Sequence, residues 1–314
     1  MKLVIQIPCF NEEKTLPLVL KSIPKRIPGI TEVVVLVVDD GSTDRTVDIA
    51  KRHGVKHFVH HRRNMGLARS FQDGINEALR QGADVVVSTD GDNQYPQDRI
   101  PDLIKPILEG KADIVVGDRQ TRTIKHFSFT KKLLQRFGSW VVNRAAGTDL
   151  PDAASGFRAY SRESLFRLNV VTRFSYCMET IIQAGNKRLA IASVPIKTNE
   201  KLRESRLFKS TPHHVLRSAM AIIRSYLMYK PYALFITLGL ALLALGLIPF
   251  GRYLWFLYTD PSPGSHLQSL ILGAVLLIGS FLSVIVGVIS DLVRTTRILQ
   301  EDELERTKRI QFDR

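Results

Sequence analysis

Two long stretches without a charged side chain lie late in the sequence, and they set the first limit on how this chain can fold. Pro231 to Gly251 is 21 residues long and Leu267 to Ser290 is 24. About 18 to 20 apolar residues are enough to cross the hydrocarbon core of a bilayer as a helix. A pair of buried core helices would keep a polar face, which these stretches lack. Neither sits where a cleavable leader would. The bulk composition hides them, since 45% hydrophobic and 24% charged residues is the balance of a soluble protein. The expectation is two transmembrane helices within residues 231–293, preceded by a polar domain.

The charge is +14, from 44 basic and 30 acidic side chains. An excess of this kind can mark a nucleic-acid binder, but its distribution points elsewhere. Arg119 to Thr148 holds seven basic residues and no acidic one, and Lys201 to Lys230 holds seven more against Glu204. The second run abuts the first apolar stretch, where basic residues favour the cytoplasmic side and attract anionic headgroups. A lipid bilayer is therefore the expected partner, and no nucleic acid. Pro212 to Tyr229 carries apolar residues at helical spacing, so residues 211–230 are expected to form an amphipathic helix at the membrane interface. The linker Arg252 to His266 has one Arg and one Asp, while the outer flanks carry Lys230, Arg294 and Arg297. That bias puts both chain ends, including a tail over 294–314, in the cytoplasm.

In the first 120 residues, runs rich in branched side chains alternate with helical patterns. Leu3 to Ile7, Val33 to Val38, Asp84 to Ser88 and Asp113 to Val116 read as strands. Glu12 to Ser22, Asp44 to His53 and Leu67 to Gln81 read as helices, and Leu189 to Ile196 is a further strand candidate. The alternation implies an α/β domain over residues 1–210 with a mostly parallel sheet. In such sheets ligands bind beyond the carboxyl ends of the strands. Cys9 and Cys177 have no metal-ligand spacing and suit a reducing compartment.

Three acidic clusters follow the strands. Pro8-Cys9-Phe10-Asn11-Glu12-Glu13 comes first and Asp39-Asp40-Gly41-Ser42-Thr43-Asp44 second. Ser42 or Asp44 would also serve as a helix cap, but two acidic loops on adjacent strand ends converge on one crevice, where they can accept hydrogen bonds from a nucleobase and ribose. The third is Asp90-Gly91-Asp92-Asn93-Gln94. Carboxylates either side of a glycine can face one cation, and hard oxygen ligands suit Mg²⁺ or Mn²⁺ bridging to phosphate.

The order of Pro8, Asn11-Glu12, Asp39 to Asp44, Asn64-Met65-Gly66, Asp90 to Gln94 and Ser155-Gly156-Phe157-Arg158 resembles glycosyltransferase family 2, in its polyprenyl-phosphate glycosyltransferase branch. The resemblance covers roughly residues 1 to 210, and the two C-terminal stretches match two-span relatives. It implies a GT-A-type domain that binds a nucleotide-diphosphate sugar through Pro8, Asn11, Glu12, Asp39, Asp40 and Asp90. It implies a metal site at Asp90 and Asp92, with Gln94 as a further contact. Gly117-Asp118-Arg119 resembles a family motif whose arginine faces phosphate. Positive charge for the acceptor phosphate would come from Arg119, Lys131, Lys132 and Arg203. Lys131 and Lys132 stand where relatives often have arginine, and Arg203-Glu204-Ser205-Arg206 departs from the family's usual run. The family often places an acid at Glu179; proton abstraction, sugar binding and positioning all remain open for it.

The expected enzyme is an inverting, metal-dependent glycosyltransferase that moves one sugar from a nucleotide donor to an undecaprenyl or dolichyl phosphate at the cytoplasmic face of the membrane. Two-span relatives suggest a homo-oligomer, with a tetramer among the options. A processive polysaccharide synthase is the competing enzyme, but Gln135 to Trp140 lacks the spacing of its Gln-x-x-Arg-Trp motif. A catalytically silent membrane scaffold is the other alternative, against which the complete Asp90 and Asp92 pair speaks.

Overall fold

The structure, a computed structural model, describes residues 1–120, 129–170, 176–200, 231–259 and 267–312. The chain forms two compact units, one of Met1–Ser225 with Glu301–Arg314 and one of Tyr226–Gln300.

In the first unit, β1 (Lys2–Cys9), β2 (Glu32–Asp39), β3 (His57–His60), β4 (Val85–Ser88), β5 (Ile114–Asp118), β6 (Arg158–Ser161) and β7 (Ile191–Pro195) make one seven-stranded sheet. Its order is β3-β2-β1-β4-β6-β5-β7. Every pair is parallel except those of β6, which runs against β4 and β5. The helices are α1 (Leu16–Ser22), α2 (Thr46–Arg52), α3 (Leu67–Arg80), α4 (Ile100–Leu108), α5 (Phe129–Ala146), α6 (Arg162–Arg167) and α7 (Tyr176–Asn186). Strands β1, β2 and β4 are near-continuous branched apolar runs, as strands covered on both faces require. Leu3, Ile5 and Ile7 are fully buried in a cluster with Leu16 and Val19 of α1 and Leu103 and Ile104 of α4. On the opposite face α3 lies close enough that a Cβ on Gly74 would strike the Gln6 side chain.

The register aligns the ends that matter. Cys9 pairs with Asp39 and Gln6 with Ser88, so β1, β2 and β4 finish on one edge of the sheet. The expected strands and helices are present, with one shifted start. Helix α1 begins at Leu16 rather than Glu12, because the Glu12 carbonyl accepts both Thr15 N and Leu16 N in a tight turn. Strands β3 and β6 and helices α4, α5, α6 and α7 were not expected from sequence.

In the second unit, α8 (Pro231–Thr259) and the part of α9 (Leu267–Phe312) before Glu301 reach mean hydropathies of 2.4 and 2.6 in their most apolar stretches. They pack through small residues and hydroxyls, as helices do in lipid. Ser280 Oγ donates to Gly239 O at 2.8 Å and Ser283 Oγ to Phe235 O at 2.9 Å. A Cβ on Gly246 would lie 3.0 Å from Leu276 Cβ. Their remaining faces leave Leu240, Ile248, Phe281 and Leu292 exposed. The two helices are long and apolar enough to span a membrane.

The end of α9, from Glu301 on, packs within the first unit. Lys308 is buried, and its Nζ donates to Leu168 O at 2.6 Å and Leu165 O at 3.3 Å, at the end of α6. Arg309 Nη2 reaches Glu163 at 2.6 Å, and Arg162 Nη2 donates to Phe312 O at 2.6 Å. The amphipathic helix expected over 211–230 lies outside the described residues.

Candidate active site

Beyond the carboxyl ends of β1, β2 and β4 lies a cavity of about 210 Å³. Pro8, Glu12, Asp40, Asp90, Asp92 and Gln94 line it together with Asn64 and Gly66 from the loop before α3 and Leu67 at its start. Six of the residues singled out from sequence thus share one wall system. The loops that carry them are tied to one another. Glu12 N donates to Thr46 Oγ1 at 2.8 Å, and Glu12 Oε2 accepts Thr15 Oγ1 at 2.7 Å. Asn11 has φ of 56° and accepts Thr43 N at 2.8 Å, while its own N donates to Ser42 Oγ. Asp44 accepts Thr46 N at 2.9 Å, which makes it the cap-like acceptor at the start of α2.

Asp39 and Asp40 are both buried, yet their side chains do different things. Asp39 Oδ1 accepts Ser42 N at 3.0 Å and closes its own turn. Asp40 lines the cavity, but Oδ1 accepts Met65 N at 2.7 Å and Oδ2 accepts Gly66 N at 2.9 Å. Asp40 therefore grips the neighbouring loop. Gly41 makes this possible: it has φ of +75°, and a Cβ there would lie 2.6 Å from Arg63 C.

Asp90 and Asp92 flank Gly91, where an added Cβ would meet Cys9 Sγ at 3.1 Å and Glu12 Cγ at 3.3 Å. Glycine lets the triplet sit against the β1 loop. Asp92 accepts Gln94 N at 3.1 Å and Gln94 Nε2 at 2.6 Å, so Gln94 fixes the carboxylate orientation. Among the described residues there is no group of three or more His, Cys, Asp or Glu that would enclose a metal. Two hard carboxylates on a partly buried turn fit Mg²⁺ or Mn²⁺, ions that keep waters and complete their shell with substrate phosphate. Burial, with Glu12, Asp39 and Asp90 nearby, pushes the Cys9 thiol up and keeps it protonated.

The segment after Asp152 does not line the cavity but packs beside Asp90. Arg119 Nε donates to Asp152 Oδ2 at 2.6 Å and Nη2 to Oδ1 at 2.8 Å. Tyr95 OH accepts Gly156 N at 2.9 Å, and Tyr176 OH donates to Gly156 O at 3.3 Å. A Cβ on Gly156 would stand 3.5 Å from Asp90 Oδ2, so this glycine brings the segment up to the acidic triplet. Burial raises both phenols and keeps them neutral donors and acceptors. Arg158 is fully buried, and its guanidinium donates to Ser155 O at 2.7 Å and to Ala153 O, Cys177 O and Thr180 Oγ1 at 2.8 Å. It is a structural clamp.

Glu179 is buried on α7 near Gln183 Nε2, at 3.4 Å, and does not line the cavity. Lys131 and Lys132 fall in the first turns of α5, and Arg203 lies outside the described residues. Sequence reasoning assigned no role to Asp152, Tyr95, Tyr176 or Arg158. Arg158 ends the Ser155-Gly156-Phe157-Arg158 run, whereas nothing in local spacing singles out Tyr176.

These features place an acidic cavity at the strand ends of a mostly parallel α/β sheet. The family model described as "Glycosyl transferase family 2" matches residues 4–168, and the chain belongs to that family. It is 30% identical to a UDP-N-acetylglucosamine–dolichyl-phosphate N-acetylglucosaminyltransferase of Methanococcus voltae, across 61% of this chain and 83% of that protein. It is also 30% identical to an undecaprenyl-phosphate mannosyltransferase of Micrococcus luteus, across 66% of this chain and 88% of that protein. The fold is GT-A-like. Glucosyl-3-phosphoglycerate synthase from Mycobacterium tuberculosis, solved with Mn²⁺, UDP and glucosyl-3-phosphoglycerate, superposes with a TM-score of 0.54 at 22% identity, covering 72% of this chain and 78% of that one. The protein is accordingly a glycosyltransferase with two helices able to cross a membrane.

Proposed function

We propose that this chain transfers a single sugar from a nucleotide-diphosphate sugar to a polyprenyl phosphate, with inversion, at the cytoplasmic face of the membrane. The observation that carries the reading is the cavity at the ends of β1, β2 and β4, where Glu12, Asp40, Asp90 and Asp92 meet. Pro8, Asn11, Glu12 and Asp39 bind the nucleoside part of the donor. A Mg²⁺ or Mn²⁺ ion held by Asp90 and Asp92 would offset charge on the departing nucleoside diphosphate.

The acceptor follows from two supports. Relatives are named for dolichyl and undecaprenyl phosphates, and the two apolar helices suit a bilayer-bound substrate. A phosphate monoester has a second pKa of about 6, so its oxygen is largely ionised at neutral pH and needs no strong base. It needs positive charge instead, which Arg119, Lys131, Lys132 and Arg203 supply. Glu179, buried away from the cavity, acts in positioning. Attack opposite the leaving group inverts the anomeric carbon. The chain works as a homo-oligomer with both termini in the cytoplasm.

The test uses the full chain in detergent or nanodiscs with a panel of UDP- and GDP-sugars, polyprenyl phosphate and Mg²⁺ or Mn²⁺. A monoglycosylated lipid of inverted anomeric configuration, lost on adding EDTA, is expected. A folded protein that gives no glycolipid with any donor, or that makes long polymer, sinks the reading.

A further inference from the structure

Between β3 and α3 a side chain outside every sequence motif links two carboxylates. His61 follows β3 directly and its imidazole is 9% exposed. Its Nδ1 lies 2.7 Å from Asp40 Oδ1 and its Nε2 lies 3.1 Å from Asp73 Oδ2. Asp73 sits on α3, where Arg69 Nε donates to it at 2.7 Å. The backbone of His61 is anchored too, with its N donating to Asp39 O at 2.9 Å.

We propose that His61 is a positioning residue for the donor: it ties Asp40 to α3 and so fixes the cavity wall formed by Asn64, Gly66 and Leu67. The argument runs through Asp40. That carboxylate accepts the amides of Met65 and Gly66, and those amides set the path of the wall. A carboxylate with no second anchor could follow the loop as it moved. His61 supplies the anchor, because its other nitrogen is bonded to Asp73 in the middle of a helix. Hydrogen bonds to carboxylates in this largely buried setting lose little to screening, and cutting either one frees Asp40 from α3 while the Met65 and Gly66 amides still hold it to the loop. The Arg63 backbone packed over Gly41 leaves the loop no room to settle inward.

The inference rests on the nucleotide-sugar reading for what the wall serves, but not for what holds it. Two measurements keep these apart. Hydrogen exchange on the full chain reads the Met65 and Gly66 amides without any ligand. Calorimetry with UDP and with GDP, each with Mn²⁺, reads the cavity. His61→Ala should speed exchange at those amides about tenfold or more and weaken the bound nucleotide about tenfold, the scale of one lost charge-assisted bond. In transfer assays the donor KM should rise with kcat at saturating donor changed by less than about twofold. His61→Asn, whose amide nitrogen takes the place of Nδ1, should recover most of the affinity; His61→Gln, which takes the place of Nε2, should recover less.

Unchanged exchange in His61→Ala overturns the proposal. So does faster exchange with unaltered nucleotide affinity, or a joint loss of kcat and thermal stability that Asn does not rescue. Should His61→Ala fail to fold, Asp73→Ala removes the acceptor at the relay's far end and must move exchange and affinity in the same direction. A wild-type chain that binds neither nucleotide overturns the nucleotide-sugar reading, and the exchange result then still decides whether His61 holds the wall.

Discussion

Arg119 and Asp152 meet as a two-pronged ion pair, with contacts of 2.6 and 2.8 Å, in which the Asp152 side chain is almost fully buried and the Arg119 side chain is 19% exposed. The exposed part of the arginine is thus aimed by a partner that solvent does not reach. Arg119→Lys keeps the charge but loses the fork. It should lower kcat/KM for the lipid acceptor by on the order of tenfold while leaving UDP or GDP affinity within about twofold. Asp152→Ala leaves the arginine unpaired and should cost roughly 2–4 kcal/mol of stability as well. Initial rates against acceptor concentration, with thermal melts of both variants, check the pair.

Both carboxylate oxygens of Asp92 accept hydrogen bonds from Gln94, which orients the group. Asp92→Asn keeps the shape and removes the charge. Transfer should fall on the order of a hundredfold with no change in melting temperature, and raised Mn²⁺ should restore part of it. Rates across a metal titration are the measurement; an Asn variant as active as the parent at every metal concentration would count against a metal role.

Gly41 combines a left-handed backbone with a 2.6 Å approach to the Arg63 backbone. Gly41→Ala meets both penalties and should destabilise the fold by at least ~2 kcal/mol. Chemical denaturation will show the loss, and nucleotide affinity should fall with it because the loop over Gly41 is a cavity wall.

The parts of the fold that were readable in sequence are those where one local signal dominates. Val33 to Val38 is an unbroken branched run, and it is buried as β2. Strand β6 could not be read this way, because Arg-Ala-Tyr-Ser contains a guanidinium that is buried only by virtue of carbonyls supplied from elsewhere. Helix α4 carries Pro106 in its interior, which argues for a break until the tertiary packing of Ile100, Leu103 and Ile104 outweighs it. The acidic clusters were legible because they follow strands. Their division of labour was not, since Asp39 and Asp40 are identical in sequence and differ only in which backbone amides arrive beside them.

Lys308 gives a pH signature. Burial, reinforced by Lys187, pushes its ammonium down from 10.5 to about 8. Below pH 8 the group is charged in both folded and unfolded chains, so the full penalty of burying the charge is present. Between about 8 and 10.5 the unfolded chain binds more protons than the folded one, and stability rises with pH. Relative to Lys308→Met, the native protein should therefore gain up to roughly 3 kcal/mol across that window. Denaturant unfolding of the two proteins at about pH 7 and about pH 10, below and above the shifted group, checks the sign.

The Arg158 clamp has a consequence for anyone recombining these enzymes. Its four acceptors come from Ala153 and Ser155 on one side and from Cys177 and Thr180 on the other. A chimera with a crossover between those two groups would marry one parent's guanidinium to another parent's oxygens. The smallest block that keeps the clamp whole therefore runs from Ala153 through Thr180, and a library that respects that seam must also take Arg119 with Asp152, and Tyr95 with Gly156, from one parent.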